Sequence, residues 1–179
     1  MQLKKNIIIN GAGLVGSLLA IYLAKRGHAI RLYERRPDMR LSGAIAGRSI
    51  NLALSDRGLN ALEKVGIADD IKKIAIPMHG RQIHNADGSQ VFQPYGAEGQ
   101  FINSVSRSEL NMQLMGLAEK NGIQLFFNHR CDTIDWKKNE VTYIHEVSGD
   151  TIRENADLIF GADGAFSASR LQHQIQSDR

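Results

Sequence analysis

Residues 6–16 read Asn6-Ile7-Ile8-Ile9-Asn10-Gly11-Ala12-Gly13-Leu14-Val15-Gly16, and the order of side-chain types in them decides the fold. The run Ile7-Ile8-Ile9 has no polar residue to turn toward water, which is the pattern of a parallel strand covered on both faces. Glycines follow at once, and Leu14 to Arg26 then reads as a helix that Gly27 stops. Ala29 to Tyr33 makes a second strand that ends at Glu34. A strand, a helix and a strand in this succession predict an α/β fold built on a parallel sheet.

Gly11, Gly13 and Gly16 keep G-x-G-x-x-G spacing in the context that gives it meaning, after a strand and opening a helix. The first glycine permits the tight turn, the second lets backbone approach a pyrophosphate, and the third lets the helix pack closely. The helix N-terminus supplies N–H donors and a positive dipole end. Glu34 follows 18 residues after Gly16, at the end of the second strand, where a ribose hydroxyl is bound. A carboxylate there suits a free 2′-hydroxyl and repels a 2′-phosphate, so the bound dinucleotide is expected to be FAD or NAD and not NADP. A glycine-rich turn without ligand is the plainer alternative, and the agreement of strand, turn, helix and distant acid weighs against it.

Beyond Glu34 the chain is polar to Gly47, and apolar residues at helical spacing from Leu52 to Val65 predict a helix ended by Gly66. Residues 81–92 alternate around Ala86-Asp87-Gly88, which predicts an antiparallel hairpin and the start of a second sheet. Ser106 precedes a helix from Arg107 to about Lys120, and Ile123 to Asn128 reads as a strand. The stretch 132–155, with turns at Lys137-Lys138-Asn139 and Ser148-Gly149-Asp150, predicts a three-stranded antiparallel meander, after which Asp157 to Ala162 returns to the parallel sheet. A helix begins at Ser167 and the chain stops within a turn or two of it, so an amino-terminal piece of a longer protein, incomplete at its C-terminus, is expected.

A chain of 179 residues with 42% hydrophobic and 23% charged residues and 3 prolines is globular, of one domain or a part of one. The single cysteine, Cys131, excludes an internal disulfide and a cysteine-based zinc module, and points to a reducing, cytoplasmic compartment. The net charge of +3 is spread over scattered basic pairs, which argues against nucleic acid. Lys4-Lys5 and the apolar run to Ala24 imitate a signal peptide, but glycines and Asn10 interrupt the run and no A-x-A site follows. No stretch is long enough to span a bilayer, and no membrane contact is expected within these residues. The six histidines fall at no metal-ligand spacing, so no metal is assigned.

Ile159-Phe160-Gly161-Ala162-Asp163-Gly164-Ala165-Phe166-Ser167-Ala168-Ser169-Arg170 resembles the strand-Asp-Gly-x-x-Ser-x-x-Arg fingerprint of the flavoprotein aromatic hydroxylases, the class that includes para-hydroxybenzoate hydroxylase. Gly47-Arg48-Ser49-Ile50-Asn51-Leu52-Ala53-Leu54-Ser55, Arg57-Gly58, Ile76-Pro77-Met78, Pro94-Tyr95-Gly96 and Ser106-Arg107 narrow the resemblance to the kynurenine 3-monooxygenase family. The resemblance runs from Asn6 to Arg170. It implies a Rossmann-like FAD-binding domain with tightly bound FAD, NADPH as co-substrate, and hydroxylation of L-kynurenine to 3-hydroxykynurenine with O2, a step of tryptophan catabolism. It also implies segments: 1–75 as the FAD-binding βαβ and following helix, 76–105 as the start of a substrate-domain sheet, and 106–179 as the rest of the FAD domain.

By the same resemblance, Val15, Tyr33, Glu34, Arg35, Arg36, Ala53, Arg107, Cys131 and Asp163 join the glycines in binding the cofactor, while Arg81 pairs with the substrate carboxylate and Tyr95 hydrogen-bonds it. Read without it, Arg81 is an exposed charge, Tyr95 a half-buried phenol, and Cys131 a buried inert thiol whose contact with a cofactor would use its backbone. Arg107, at a helix start where the dipole mildly opposes a cation, is solvated or recruited to an anion. No side-chain nucleophile or catalytic base is expected, since the cofactor carries the hard chemistry. The family's later Gly-Asp segment and its C-terminal Asn and Tyr pocket residues are not in this chain. The 179-residue piece is therefore expected to bind FAD weakly or not at all, to lack activity, and to leave a sheet edge open to self-association. Another flavin hydroxylase or reductase, an NAD-dependent dehydrogenase and a non-catalytic dinucleotide-binding module are the rival readings.

Overall fold

A computed structural model of the chain describes residues 3–41 and 50–177. The elements in order are β1 (Asn6–Asn10), α1 (Leu14–Ala24), β2 (Ala29–Tyr33), β3 (Asn51–Leu54), α2 (Asp56–Val65), α3 (Ala68–Ile74), β4 (Ile76–Met78), β5 (Gly80–His84), β6 (Gln90–Pro94), β7 (Ile102–Ser106), α4 (Arg107–Lys120), β8 (Gln124–Phe126), β9 (His129–Asp135), β10 (Glu140–His145), β11 (Thr151–Asn155), β12 (Leu158–Gly161) and α5 (Ala168–Ser177). They form two compact units, residues 1–46 with 111–179 and residues 47–110. Helices α2 and α3 thus belong to the second unit and not, as the sequence segments had it, with the βαβ start.

The first unit is built on a parallel sheet in the order β12-β1-β2-β8. Its central strand carries Ile7, Ile8 and Ile9, all at most 1% exposed, as a strand buried on both faces requires. The meander, in the order β11-β10-β9, covers one face. Ile8, Tyr33, Cys131, Ile134, Val141 and Tyr143 form one buried cluster between them. Tyr33 is the centre of an aromatic stack, its ring 4.0 Å from Tyr143 and 4.6 Å from Phe126, each pair nearly parallel. The predicted strand over 123–128 is shorter than expected, because Asn128 takes a left-handed φ of 60° that ends the extended run. The meander starts three residues early, at His129, whose N–H donates to Glu34 O.

Asn10, the last residue of β1, ties three elements together beneath the glycine turn. Its Oδ1 accepts from the Tyr143 hydroxyl and its Nδ2 donates to Ser169 Oγ at 3.0 Å, with Cys131 Sγ at 3.7 Å. β10, α5 and β9 are thereby fixed to the strand that presents the glycines. Helix α5 runs for ten residues, longer than the turn or two expected, and lies against β9, where Gln176 Nε2 donates to Ile134 O.

In the second unit β7 is the centre of an antiparallel sheet, β3-β7-β4, and α2 and α3 bury Leu62, Val65, Ala68 and Ile71. The helix expected from Leu52 starts only at Asp56. Asn51 to Leu54 pair with Asn103 to Ser106 as a strand, because Leu52 and Leu54 alternate inward at a period of two. Strands β5 and β6 make the predicted hairpin as a separate two-stranded ribbon. Gly47, Arg48 and Ser49 of the family-like segment lie outside the described residues. Among the described residues no helix is long and apolar enough to cross a membrane.

The tightest point of the first unit is the crossing of β1, α1 and β12. A Cβ on Gly16 would stand 1.8 Å from Gly11 O, and one on Gly11 would meet Ala162 O at 2.5 Å. Both obstacles are backbone and cannot swing aside. Gly16→Ala is therefore expected to cost about 1–3 kcal/mol or more, read as a lowered urea midpoint at unchanged m-value; an unaltered midpoint would contradict the close packing.

Candidate dinucleotide site

The glycine turn brings the open end of α1 to the C-terminal edge of the parallel sheet. Gly11, at φ +99°, turns the chain back so that its N–H donates to Tyr33 O at 2.7 Å. Gly13 is the residue before the helix, and the first α1 donor to find an intrahelical acceptor is Ser17 N, on Gly13 O at 2.9 Å. No side chain caps α1 and no acid stands in its first turn. The N–H groups ahead of Ser17, from Gly13 through Gly16, therefore have no intrahelical acceptor and the dipole is uncompensated, which is the arrangement that takes a phosphate. Val15, 70% exposed, stands in this first turn. A Cβ built on Gly13 meets nothing within 4 Å, so the approach to these donors is open just where a side chain would close it. The residues present fit a dinucleotide pyrophosphate.

Glu34 is only 6% exposed and is bound to the turn. Its Oε2 accepts from Ala12 N at 3.0 Å, and its Oε1 accepts from Arg36 N at 3.0 Å and Arg36 Nε at 2.8 Å. Burial works to raise its pKa, but the Arg36 side-chain and backbone hydrogen bonds, the Arg36 charge and the Ala12 N–H outweigh it and hold the carboxyl below the ordinary glutamate range. The carboxylate is thus ionised and fixed beside the glycines, with lone pairs left over for a sugar hydroxyl. Arg36 is a half-spent partner, since its Nη groups make no hydrogen bond among the described residues, and Arg35 is exposed.

Three of the other expected residues are placed differently from a side-chain contact with ligand. The Tyr33 ring is buried in the aromatic stack at 1% exposure, so the strand end offers its backbone alone. Cys131 is buried in the same cluster, and its thiol is pushed up to about 12 by burial, with Asp163 and Asp132 adding to the effect. Asp163 is a helix cap: Oδ2 accepts from Ser169 N at 3.0 Å and Oδ1 from the Ser167 hydroxyl at 2.6 Å, while Ser167 Oγ accepts from Arg170 N at 2.9 Å. The Asp-Gly-x-x-Ser-x-x-Arg segment is therefore a local device that starts α5, with Arg170 closing it on Ala165 O at 2.7 Å.

Sequence reasoning missed Asn111. It is 6% exposed and shares a buried stripe of α4 with Leu114, Met115 and Ala118, and its Nδ2 donates to Ala12 O at 3.1 Å. The signal was there, since an amide occupies a position that helical spacing assigns to an apolar residue.

In the second unit, the hairpin register places Arg81 opposite Gln93 and the β6 extension places Tyr95 N on His79 O at 3.0 Å, so Arg81 and Tyr95 stand on one face of the ribbon. Arg81 Nε donates to Gln93 Oε1 at 2.8 Å, which leaves both Nη groups unengaged among the described residues, and Tyr95 is 45% exposed. Ala53 lies within β3, opposite Ser104. Arg107 is exposed at the start of α4, where its N–H donates to Ile50 O, and its guanidinium has no partner among the described residues.

A family model described as an FAD binding domain matches residues 4–178, and the chain belongs to this family of FAD-binding domains. The relatives it resembles in sequence are more particular. The kynurenine 3-monooxygenase of Myxococcus xanthus is 47% identical over 177 residues, which are 98% of this chain and 38% of that protein. The enzyme of the same name from Anopheles gambiae is 45% identical over 169 residues, 93% of this chain and 35% of that protein. The chain thus spans well under half the length of the curated relatives it matches. Among solved structures, the tetrameric form of 2-methyl-3-hydroxypyridine-5-carboxylic acid oxygenase superposes at a TM-score of 0.74 and 25% identity, over 96% of this chain and 43% of that one. The flavin-dependent monooxygenase PieE, solved with FAD and substrate, superposes at 0.80 over 97% of this chain and 32% of that one, and at 19% identity it speaks for the fold alone. The α/β class and the flavin-monooxygenase fold expected from the sequence are as found.

Glu34 sets an expected pH response. Because its folded pKa lies below the ordinary value of 4.5, its stabilising bonds are present in full above that pH and are lost as the pH falls through the folded value. Glu34→Gln is expected to be less stable than the parent at neutral pH, and the gap in urea midpoint should narrow as the buffer is taken below pH 4.5. A gap that stays constant across the acid range would show that the carboxylate is not the stabilising form.

Proposed function

We propose that this chain is the amino-terminal, FAD-holding part of a kynurenine 3-monooxygenase, and that the complete polypeptide hydroxylates L-kynurenine to 3-hydroxykynurenine with NADPH and O2. The observation that carries the reading is the uncapped end of α1, open over Gly13 and bordered by a buried, ionised Glu34. Relatives of that name at 45–47% identity supply the substrate, which geometry alone does not. Bound FAD supplies the redox and oxygen-transfer chemistry.

The share of this chain is binding and orientation. The N–H groups at Gly13, Leu14, Val15 and Gly16 hold the pyrophosphate, and Gly11 and Gly16 keep the turn close enough to the sheet to present them. Glu34 accepts from a sugar hydroxyl while Arg36 keeps it aligned, and Arg35 adds positive charge to the approach. Tyr33 and Cys131 serve through their backbone and by supporting the strand ends, and Asp163 by setting α5 at the end of β12. Ala53 and Arg107 are the further cofactor residues, Arg107 through a guanidinium that has no partner among the described residues. Arg81 takes the carboxylate of kynurenine through its two free Nη groups, and the Tyr95 hydroxyl on the same face donates to it. A cytoplasmic setting fits the lone, buried Cys131, which needs no oxidising compartment.

Gly13→Ala separates ligand binding from folding. Its φ of −72° suits alanine and its Cβ points into open space, so the thermal midpoint is expected to hold or rise slightly. The purified complete polypeptide should meanwhile lose its flavin absorbance; a yellow variant with unchanged FAD affinity would sink the proposal. For the substrate, Arg81→Ala is expected to raise KM for kynurenine by about 10- to 100-fold while FAD content is unchanged. Turnover of a phenolic acid in preference to kynurenine would reassign the enzyme within its class.

A further inference from the structure

We propose that Asn111 Oδ1 accepts a hydrogen bond from a sugar hydroxyl of the dinucleotide held at the glycine turn, which makes Asn111 a cofactor-binding residue; the inference rests on the reading of that turn as an FAD site. The Asn111 amide is oriented by its own partner. Nδ2 donates to Ala12 O at 3.1 Å, and with the amide turned over Oδ1 would face that carbonyl oxygen. Its second neighbour on the Nδ2 side is Met39 Sδ at 3.5 Å. Oδ1 is then left buried with no donor among the described residues. A buried acceptor without a donor is the costly half of hydrogen-bond energetics, because its water has been removed and nothing replaces it.

Among the described residues, the buried Tyr33 Oη and Trp136 Nε1 also lack partners, but they belong to rings packed in or against the aromatic cluster. Asn111 instead reaches the backbone of the glycine turn, one residue from the uncapped end of α1. Glu34 holds Ala12 by its N–H and Asn111 holds it by its C=O, so the residue between the first two glycines is gripped on both sides. The two grips are alike in kind, since each side chain keeps acceptor capacity in excess of its bond to the turn. What Asn111 Oδ1 lacks is a donor. A dinucleotide brings phosphate oxygens, which accept, and sugar hydroxyls, which donate; the hydroxyls lie on the adenosine ribose and, in FAD, on the ribityl chain. Asn111 Oδ1 is matched to the donors.

A cycle of protein and ligand changes tests this. The complete polypeptide is stripped of cofactor, and the Kd of FAD is compared with that of FAD analogues each lacking one ribityl or adenosine-ribose hydroxyl. The parent protein is expected to bind one such analogue about 3- to 10-fold more weakly than FAD. In Asn111→Ala that difference should vanish. The analogue that shows the effect tells ribose from ribityl. Asn111→Leu, with the same branched heavy-atom skeleton and no polar atoms, repeats the comparison if the alanine variant does not fold. Losses that are the same in the parent and in the alanine or leucine variant for every analogue would overturn the proposal, because a merely structural Asn111 weakens all ligands alike. A parent polypeptide that binds no FAD at all would instead overturn the reading on which this one rests.

Discussion

The contact between Gly16 and Gly11 O is the constraint on which the first unit depends. Helix α1 lies so close to the end of β1 that not even a methyl group fits between them, and β12 closes on Gly11 from the other side through Ala162. This closeness has a chemical purpose. A helix N-terminus delivers its dipole and its free N–H groups only over the first turn, so a helix held a few ångströms further out would present them beyond reach of a ligand lying along the sheet edge. Side-chain volume is given up at Gly11 and Gly16 to bring the donors in, and at Gly13 to let the ligand reach them.

A turn held by backbone contact needs its surroundings rigid, and the polar residues beneath it provide this. Asn10 binds the tyrosine of β10 and the serine of α5, and Asp163 and Ser167 cap the same helix, so the meander, α5 and the end of β1 move as one. Every one of these bonds is buried or half-buried, where it is strong when made and costly when broken. The aromatic stack of Phe126, Tyr33 and Tyr143 fills the space under the network with flat rings that tolerate no sliding of β2 against the meander.

The parts legible in the sequence are those where backbone geometry dictates residue type. A triple isoleucine, three glycines at fixed spacing and an acid at the end of the next strand each have one physical reading, and β1, α1, β2 and Glu34 are where they were expected. The meander turns at residues 137–139 and 148–150 were legible because Asn, Gly and Asp tolerate the left-handed backbone found at Asn139 and Gly149. Legibility ended where tertiary partners chose between similar local options. Leu52 and Leu54 suit a helix face or a strand face, and pairing with β7 settled it. Tyr33, Cys131 and Asp163 were expected at the site, but which way each side chain turns is decided by packing that a linear pattern does not contain. Asn111 shows the converse, a polar residue in an apolar stripe whose partner lies 99 residues away in the chain.

The distinction between satisfied and unsatisfied groups orders the whole candidate site. Asp163 and the Cys131 thiol are committed inside the fold, and whatever they do for a cofactor they do by holding other atoms in place. The α1 N–H groups, the Arg81 Nη pair, the Arg107 guanidinium and Asn111 Oδ1 have no protein partner among the described residues. A folded chain pairs nearly all of its buried polar groups, so an orphaned one beside the glycine turn is an exception that a ligand group would remove. Donors at the helix end match phosphate, and a lone buried acceptor beside the turn matches a hydroxyl. A dinucleotide offers the helix end and Asn111 Oδ1 their complement.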